Sequence, residues 1–431
     1  MRRPQLAEFM RRMEPNSVAV LPGAREATRS NDTEYRFRQD SDFYYLTGFR
    51  EPDAVAVVAP SRAERFTLFV RPRDPEKEVW TGRRAGVEGA KEEFGADAAF
   101  PAEEFEGRLA DLLGGARTLY YRLGAGRPDL DGVVIGQLSR MRAMGRKGVQ
   151  PPHTLVDPGA ILHEMRLFKT DEEIELMQRA ADIAAEAHRE AMRAARPGMK
   201  EYEIEALIEY IFRKNGALAP AYGSIVGAGP NATILHYTSN DAEFRDGDLV
   251  LIDAGAEYEG YASDITRTFP ASGRFTAAQR DLYGLVLACQ EECVRMVAPG
   301  VTMDELHRHS VEVLTEGMVR LGLLEGDVKK LIEEGAYKKF YTHRLGHYLG
   351  MDVHDVGLYE RDGQPRPVEA GMVMTVEPGL YIPESAEGVP GEYRGVGVRI
   401  EDDVLVTADG HRVLTGAAPK QIEEIEALMA R

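Results

Sequence analysis

GDLVLIDAGAEYEGYASDITRTF, residues 247–269, reads as an apolar strand from Leu249 to Ala254, a return strand from Tyr261 to Phe269, and a Glu259-Gly260 turn between them. With a two-residue turn, Tyr258 faces Tyr261, Asp253 lies opposite Thr266 and Asp264 lies opposite Gly255. Side chains alternate faces along a strand, so Asp253 and Asp264 share a face as diagonal neighbours, Cα atoms roughly 7–8 Å apart. Two carboxylates in an apolar hairpin repel each other and lose hydration unless a cation lies between them. A divalent metal satisfies both. The plainer alternative has one Asp capping the turn and the other paired with Arg267.

The bulk numbers set the frame for that hairpin. A chain of 431 residues with 43% hydrophobic and 29% charged content is ordinary for a globular protein of two or three domains. Its formal charge of −18 argues against nucleic acid or an anionic membrane as partner, because both demand a basic face. The two cysteines, Cys289 and Cys293, sit four apart in a helical pattern with no second Cys or His pair, which fits free thiols in a reducing cytoplasm. The N-terminal MRRPQLAEFMRRMEPNS has basic residues but no apolar run of about seven or more, and nothing later approaches the ~20 apolar residues of a membrane span. No export signal or membrane segment is expected.

Taken in order, residues up to about 150 read as an α/β domain: an N-terminal helix, strands at 54–58 and 66–70, and a helix from about Ala102 to Leu113. Pro151-Pro152 and Asp157-Pro158-Gly159 mark a linker or boundary. Thr170-Asp171-Glu172-Glu173 then opens a helix with a capping box, and Ile174, Met177, Ala181 and Ala184 carry it at helical spacing to about Ala195. The expected division is 1–165 and 166–431.

The second part repeats itself. Arg196-Pro197-Gly198-Met199, leading into Ile204, Leu207, Ile208 and Ile211, is echoed by Ala298-Pro299-Gly300-Val301, leading into Leu306 and Val311. Thr276 to Gln279 supplies a second capping box ahead of the later copy. GDLVLIDAG and GMVMTVEPG each place an acid, Asp253 or Glu377, six residues after a glycine. Two halves related by a pseudo-twofold axis bring those acids together at the centre of a shared sheet.

Three further groups suit a metal: His347 in FYTHRLGHYLGMDVHD, Glu377 in MVMTVEPGLYI and Glu401 in GVGVRIEDDVLVT. Each is flanked by apolar or glycine residues, where an unpaired acid is least expected. Four carboxylates and one imidazole favour Mn²⁺, with Co²⁺, Fe²⁺ or Zn²⁺ as alternatives, over a closed structural zinc site. Four negative charges balance two divalent ions, which at roughly 3.5–4 Å separation lower the pKa of a shared water and clamp both ends of a hydrolytic displacement.

With these segments in this order, the sequence resembles the metallopeptidases of the pita-bread fold, and among them the aminopeptidase P family. FYYLTGFREPDA, RPRDPEKEVWTGRRAG, HEMRLFKTDEEI, ILHYTSN, HRLGHYLGMDVHDVGLY and YRGVGVRIEDD carry the resemblance over nearly the whole chain. It implies a creatinase-like N-terminal domain and a pita-bread, methionine-aminopeptidase-like catalytic domain, α/β followed by α+β. Asp253, Asp264, His347, Glu377 and Glu401 are then the ligands of two manganese ions. His236, His343 and His354 line the substrate site, with His354 donating to the scissile carbonyl or its tetrahedral intermediate and His236 shaping a proline pocket. Glu377 doubles as proton shuttle, and Tyr381 and Arg399 lie beside the metals. Trp80 is implied to reach the active site of a neighbouring subunit in a dimer or tetramer. The loop 360–366 is about one residue longer than the family pattern, which leaves the role of its arginines open. The implied activity is release of the N-terminal residue from peptides with proline second. The rivals are prolidase, which cleaves Xaa-Pro dipeptides, and a pita-bread binding protein without catalysis. His153, His188 and His411 read as packing or surface residues. No GxSxG elbow supports nucleophilic hydrolysis.

Overall fold

A computed structural model describes residues 4–430. The chain divides into two compact units, Met1–Met165 and Arg166–Arg431. In the first, a six-stranded sheet runs in the order Ala98–Pro101, Phe66–Val70, Val55–Val58, Ser17–Pro22, Thr118–Tyr120 and Thr154–Val156. Its inner strands read as unbroken apolar runs because both faces are covered. Ala19, Leu21, Ala56 and Leu68 enter one core, while Val18, Val20, Val55 and Phe69 enter the other. The helix expected from Ala102 starts later: a 3₁₀ turn, Ala102–Glu104, leads into Phe105–Leu113. The 157–159 segment is a helix start and not a slack linker. Asp157 Oδ1 accepts the Gly159 N–H at 2.7 Å, with Pro158 where its missing N–H costs nothing, and the helix Gly159–Leu167 follows.

The second unit carries the expected hairpin. Asp253 pairs with Thr266 and Tyr258 with Tyr261, one continuous register around the turn. Glu259 and Gly260 both take positive φ, +51° and +85°, as a two-residue turn matched to strand twist requires. Midway the strands part. Leu249–Asp253 and Thr266–Pro270 join Ile225–Ala228 in one sheet, while Ala256–Tyr258 and Tyr261–Ala262 join Ala219–Pro220 in another. Asp264 lies in the gap. Arg267 is fully buried against Asp402 at 2.7 Å, so it is not the partner of either hairpin acid.

The internal echo holds at the level of single hydrogen bonds. Gly198 (φ +89°) donates to Phe244 O at 2.8 Å and Phe244 donates back to Met199 O; Gly300 (φ +99°) donates to Val368 O at 2.9 Å and Val368 donates back to Val301 O. The acid-bearing strands Leu249–Asp253 and Val373–Val376 each pair antiparallel with a later strand, Thr266–Pro270 and Asp402–Thr407. The capped helices Asp171–Ala194 and Ala277–Met296 match as well, with capping boxes at Thr170/Glu173 and Thr276/Gln279. Where the halves meet, Glu401 N–H donates to Thr266 O at 3.1 Å. One continuous apolar core runs beneath both, from Leu167 to Met429, and includes Cys289 and Cys293.

Candidate metal and peptide site

Asp253 ends its strand, Asp264 sits where the hairpin opens, Glu377 follows the strand Val373–Val376, and Glu401 lies between the strands Val396–Arg399 and Asp402–Thr407. His347 is carried by a turn that crosses beside the Glu377 strand, with Thr375 N–H donating to His347 O at 2.9 Å. Gly346 makes that crossing possible, since a Cβ there would lie 2.0 Å from Thr375 O. The donor atoms of Asp264, His347 and Glu401 lie within 4.8 Å of one another.

The hydrogen bonds around this group point to a cation. His347 Nδ1 faces the Tyr348 carbonyl at 3.0 Å and must donate to it, which turns the Nε2 lone pair inward. Asp264 Oδ2 and Glu377 Oε1 each lie 3.5 Å from that nitrogen, and only a positive charge, either a proton on the ring or a metal ion in its place, reconciles the three groups. Tyr222 makes the same case: its hydroxyl approaches Asp253 Oδ1 at 2.6 Å and Asp264 Oδ1 more closely still, yet it has only one hydrogen to give. Burial pushes the carboxyls of Asp253, Glu377 and Glu401 up, the neighbouring acids add to the rise, and Glu377 reaches about 7. At His347 burial opposes a charged ring, but Asp264 and Glu377 pull its pKa up to about 9. Hard oxygen donors with one imidazole, Asp264 and Glu401 buried and the others half-buried, all mutually repelling, fit divalent ions of the Mn²⁺ type.

Around the acids the wall is ordered by neutral groups and one cation. His343 Nδ1 donates to Arg344 O at 2.8 Å, so its Nε2 accepts from the Tyr381 hydroxyl, also at 2.8 Å. Burial holds His343 neutral, with a pKa of about 3. Arg399 in turn donates to Tyr381 at 3.0 Å, to Thr266 Oγ1 at 3.0 Å and to Asp253 Oδ2 at 2.5 Å. His354 packs edge-on against His347 with ring centres 4.4 Å apart, and burial together with His347 lowers its pKa.

A cavity of about 590 Å³ gathers Asp253, Asp264, His347, Glu377, Glu401, His236, His343, His354 and Arg399 in one wall. Tyr381 is 5% exposed and stands behind that wall, meeting it through its hydroxyl. Trp80 belongs to the other unit and is 88% exposed. Tyr222, Thr266 and Thr375 are polar partners of the acids that the sequence reading did not single out: Thr266 donates to Glu401 Oε2 at 2.6 Å, and Thr375 to Glu377 Oε1 at 3.2 Å. Nothing in their local spacing sets them apart from other strand hydroxyls.

Duplicated halves with paired acids at their seam define a pita-bread metallopeptidase. The model of metallopeptidase family M24 matches residues 175–408, and that of the aminopeptidase P N-terminal domain matches residues 2–120. The chain belongs to metallopeptidase family M24. It is 48% identical to the Xaa-Pro aminopeptidase of Escherichia coli K12 over 98% of this chain and 97% of that one. Among solved structures it is similar to Pseudomonas aeruginosa aminopeptidase PepP, with TM-score 0.97 at 52% identity, covering 99% and 96% of the two chains. Zinc-substituted E. coli aminopeptidase P in complex with product gives 0.95 at 46% identity, covering 100% and 98%.

Proposed function

We infer that this metallopeptidase is an Xaa-Pro aminopeptidase, releasing the N-terminal residue from peptides with proline in second place. The observation that carries the reading is the convergence of four buried or half-buried carboxylates and the His347 lone pair on one cavity whose lining also includes His236, His343 and His354. Asp253, Asp264, His347, Glu377 and Glu401 would hold two divalent ions, Mn²⁺ by preference, which when bound supply Lewis acidity and a nucleophilic water at neutral pH. The residues do the rest. Glu377 accepts from Thr375 at Oε1, has Oε2 3.9 Å from the His343 ring, and lines the cavity, where it can take and return a proton. His354, neutral and partly open to solvent, donates to the oxygen on which charge develops. The free α-amine binds among the acids, which sets an exopeptidase register, and His236 borders the proline. We place residues 1–165 as the creatinase-like domain and 166–431 as the catalytic domain of a cytoplasmic homo-oligomer of two or four copies. The solvent-facing pair Val79 and Trp80, 82% and 88% exposed, supports association.

Prolidase is disfavoured by three arginines. A dipeptidase must close its site on the carboxylate after proline, but Arg399 is engaged with Asp253 and Tyr381, Arg366 is 3% exposed beneath the Phe168 ring, and Arg361 does not line the active-site cavity. Matched Xaa-Pro dipeptides, Xaa-Pro-Yaa tripeptides and pentapeptides, assayed in Mn²⁺ buffer, test the reading. The tripeptides and longer peptides should give the higher kcat/KM, replacing proline by alanine should cut the rate strongly, and chelation should abolish it until Mn²⁺ is restored. Activity confined to dipeptides would transfer the assignment to prolidase, and full activity in metal-free protein would end the metal reading.

A further inference from the structure

We propose that the cavity next to the active site, about 620 Å³ in volume, is a distal subsite that binds a carboxylate carried near the third or fourth residue of a bound peptide, with Arg344 as the group that reads it. The inference rests on the peptidase reading above. Arg344 lines both this cavity and the 590 Å³ active-site cavity, and so forms the partition between them. Its carbonyl is held by His343 on the active-site side, while its guanidinium reaches Asp304 at the start of the helix Met303–Arg320. That pair stands in water, 62% and 48% exposed, so a ligand carboxylate can displace or share it at little cost. Arg308 lines the same cavity four residues after Asp304, hence on the same helix face. Glu305 is already occupied, accepting from Thr302 N–H and Oγ1 at 2.8 Å each as the helix cap. Asp304 and Glu305 thus set two negative charges against the two guanidiniums, and a ligand carboxylate binds by taking the place of Asp304 on Arg344.

A second observation points the same way. His307 lines this cavity, and its Nδ1 is buried with no hydrogen-bond partner. A buried ring nitrogen left unpaired is costly, and a turn of the ring towards a bound polar group would relieve the cost. The His307 ring packs on Tyr341 at 5.7 Å, and Tyr341 packs edge-on against His343 at 5.3 Å. His343 in turn lies 3.9 Å from Glu377, so the two cavities share a continuous floor. An arginine side chain extending from the residue after His343 places its charge on the order of 10 Å away, about three residues of extended peptide at roughly 3.3 Å each. A carboxylate there belongs to the C-terminus of a tripeptide or to an acidic side chain just beyond the proline.

The test uses full-length, Mn²⁺-loaded protein and neutral isosteres. Ala-Pro-Ala acid against Ala-Pro-Ala-amide reads the terminal carboxylate; Ala-Pro-Asp-amide against Ala-Pro-Asn-amide, and Ala-Pro-Ala-Asp-amide against Ala-Pro-Ala-Asn-amide, read the side chain. At least one acidic member should show a KM about fivefold lower than its neutral partner, with kcat nearly the same. Arg344→Met should bring that ratio to within about twofold of one, and Arg344→Glu should reverse it in favour of a lysine peptide. Asp304→Asn, which frees the guanidinium, should enlarge it. Equal KM values for every acidic and neutral pair would overturn the subsite and leave the peptidase standing, as would a preference that survives Arg344→Met. Failure to cleave any Xaa-Pro peptide would remove both readings.

Discussion

His354 is the group on which the chemistry of the substrate carbonyl most depends, and with His236 it is one of the site histidines open to solvent. Its ring rests on His347 at 4.4 Å, and burial plus that neighbour lower its pKa, so the neutral ring offers one N–H to the substrate oxygen. His354→Ala should lower kcat by about 10² or more while both ions stay bound, as loss of a transition-state donor does. Steady-state kinetics with metal analysis of the same sample checks this, and an unchanged kcat would demote His354 to packing. At this scale the acids were legible because a charge among apolar residues is conspicuous: Glu377 in MVMTVEPG and Asp253 in LVLIDAG have no local reason to be there. Tyr222 was not legible. A tyrosine in APAYGSIVG looks like any half-buried aromatic, and only the folded chain shows its hydroxyl between two carboxylates.

Between His347 and the loop 360–366, the turn that carries His354 is pinned from outside the repeat. Arg166 donates to Asp352 at 2.7 Å and to Asp355 at 2.6 Å, and Lys169 donates to Asp355 at 3.1 Å, so two buried cations grip the turn on both sides of His354. Asp355 N–H closes the turn on Tyr348 O at 2.9 Å. Asp355→Asn removes the buried counter-charge of Lys169 and one of the two acids that hold Arg166, and should destabilise the protein by about 3 kcal/mol or more. It should also lower kcat through His354, so that in a His354→Ala background the same change costs stability but little further rate. Urea denaturation and a double-mutant cycle measure the two parts, and additive kcat losses would separate the turn from His354. The repeat itself was legible, since Pro-Gly openings and acid-ended strands recur in sequence. The grip was not, because Lys169 and Asp355 lie 186 residues apart, and HEMRLFKT on its own reads only as a junction.

Across the whole molecule the division of labour follows from where the charges are buried. The inner strands of the first unit's six-stranded sheet are covered on both faces by apolar side chains, while the second unit hides charge at its centre, including a fully buried histidine that the sequence marks only as one helical position among many. His188, on the helix Asp171–Ala194, bonds through Nε2 to Ala254 O at 3.0 Å behind the acid-bearing strand. Burial lowers its pKa from 6.5 to about 4, with Arg267 adding to the fall and Asp264 opposing it. A base whose folded pKa is depressed costs no stability above its unfolded pKa of about 6.5. As pH falls from there towards 4, the unfolded chain takes up a proton that the folded protein refuses, and stability drops. From pH 7 to pH 5 this group alone should remove about 2 kcal/mol. Other groups titrate over the same range, the site carboxyls among them, so the measurement compares the wild type with His188→Gln at one fixed metal loading. Glutamine can still donate to Ala254 O but binds no proton. Urea denaturation at the two pH values should show the wild type losing about 2 kcal/mol more than the variant, and equal losses would mean that His188 is charged in the folded protein or reached by solvent.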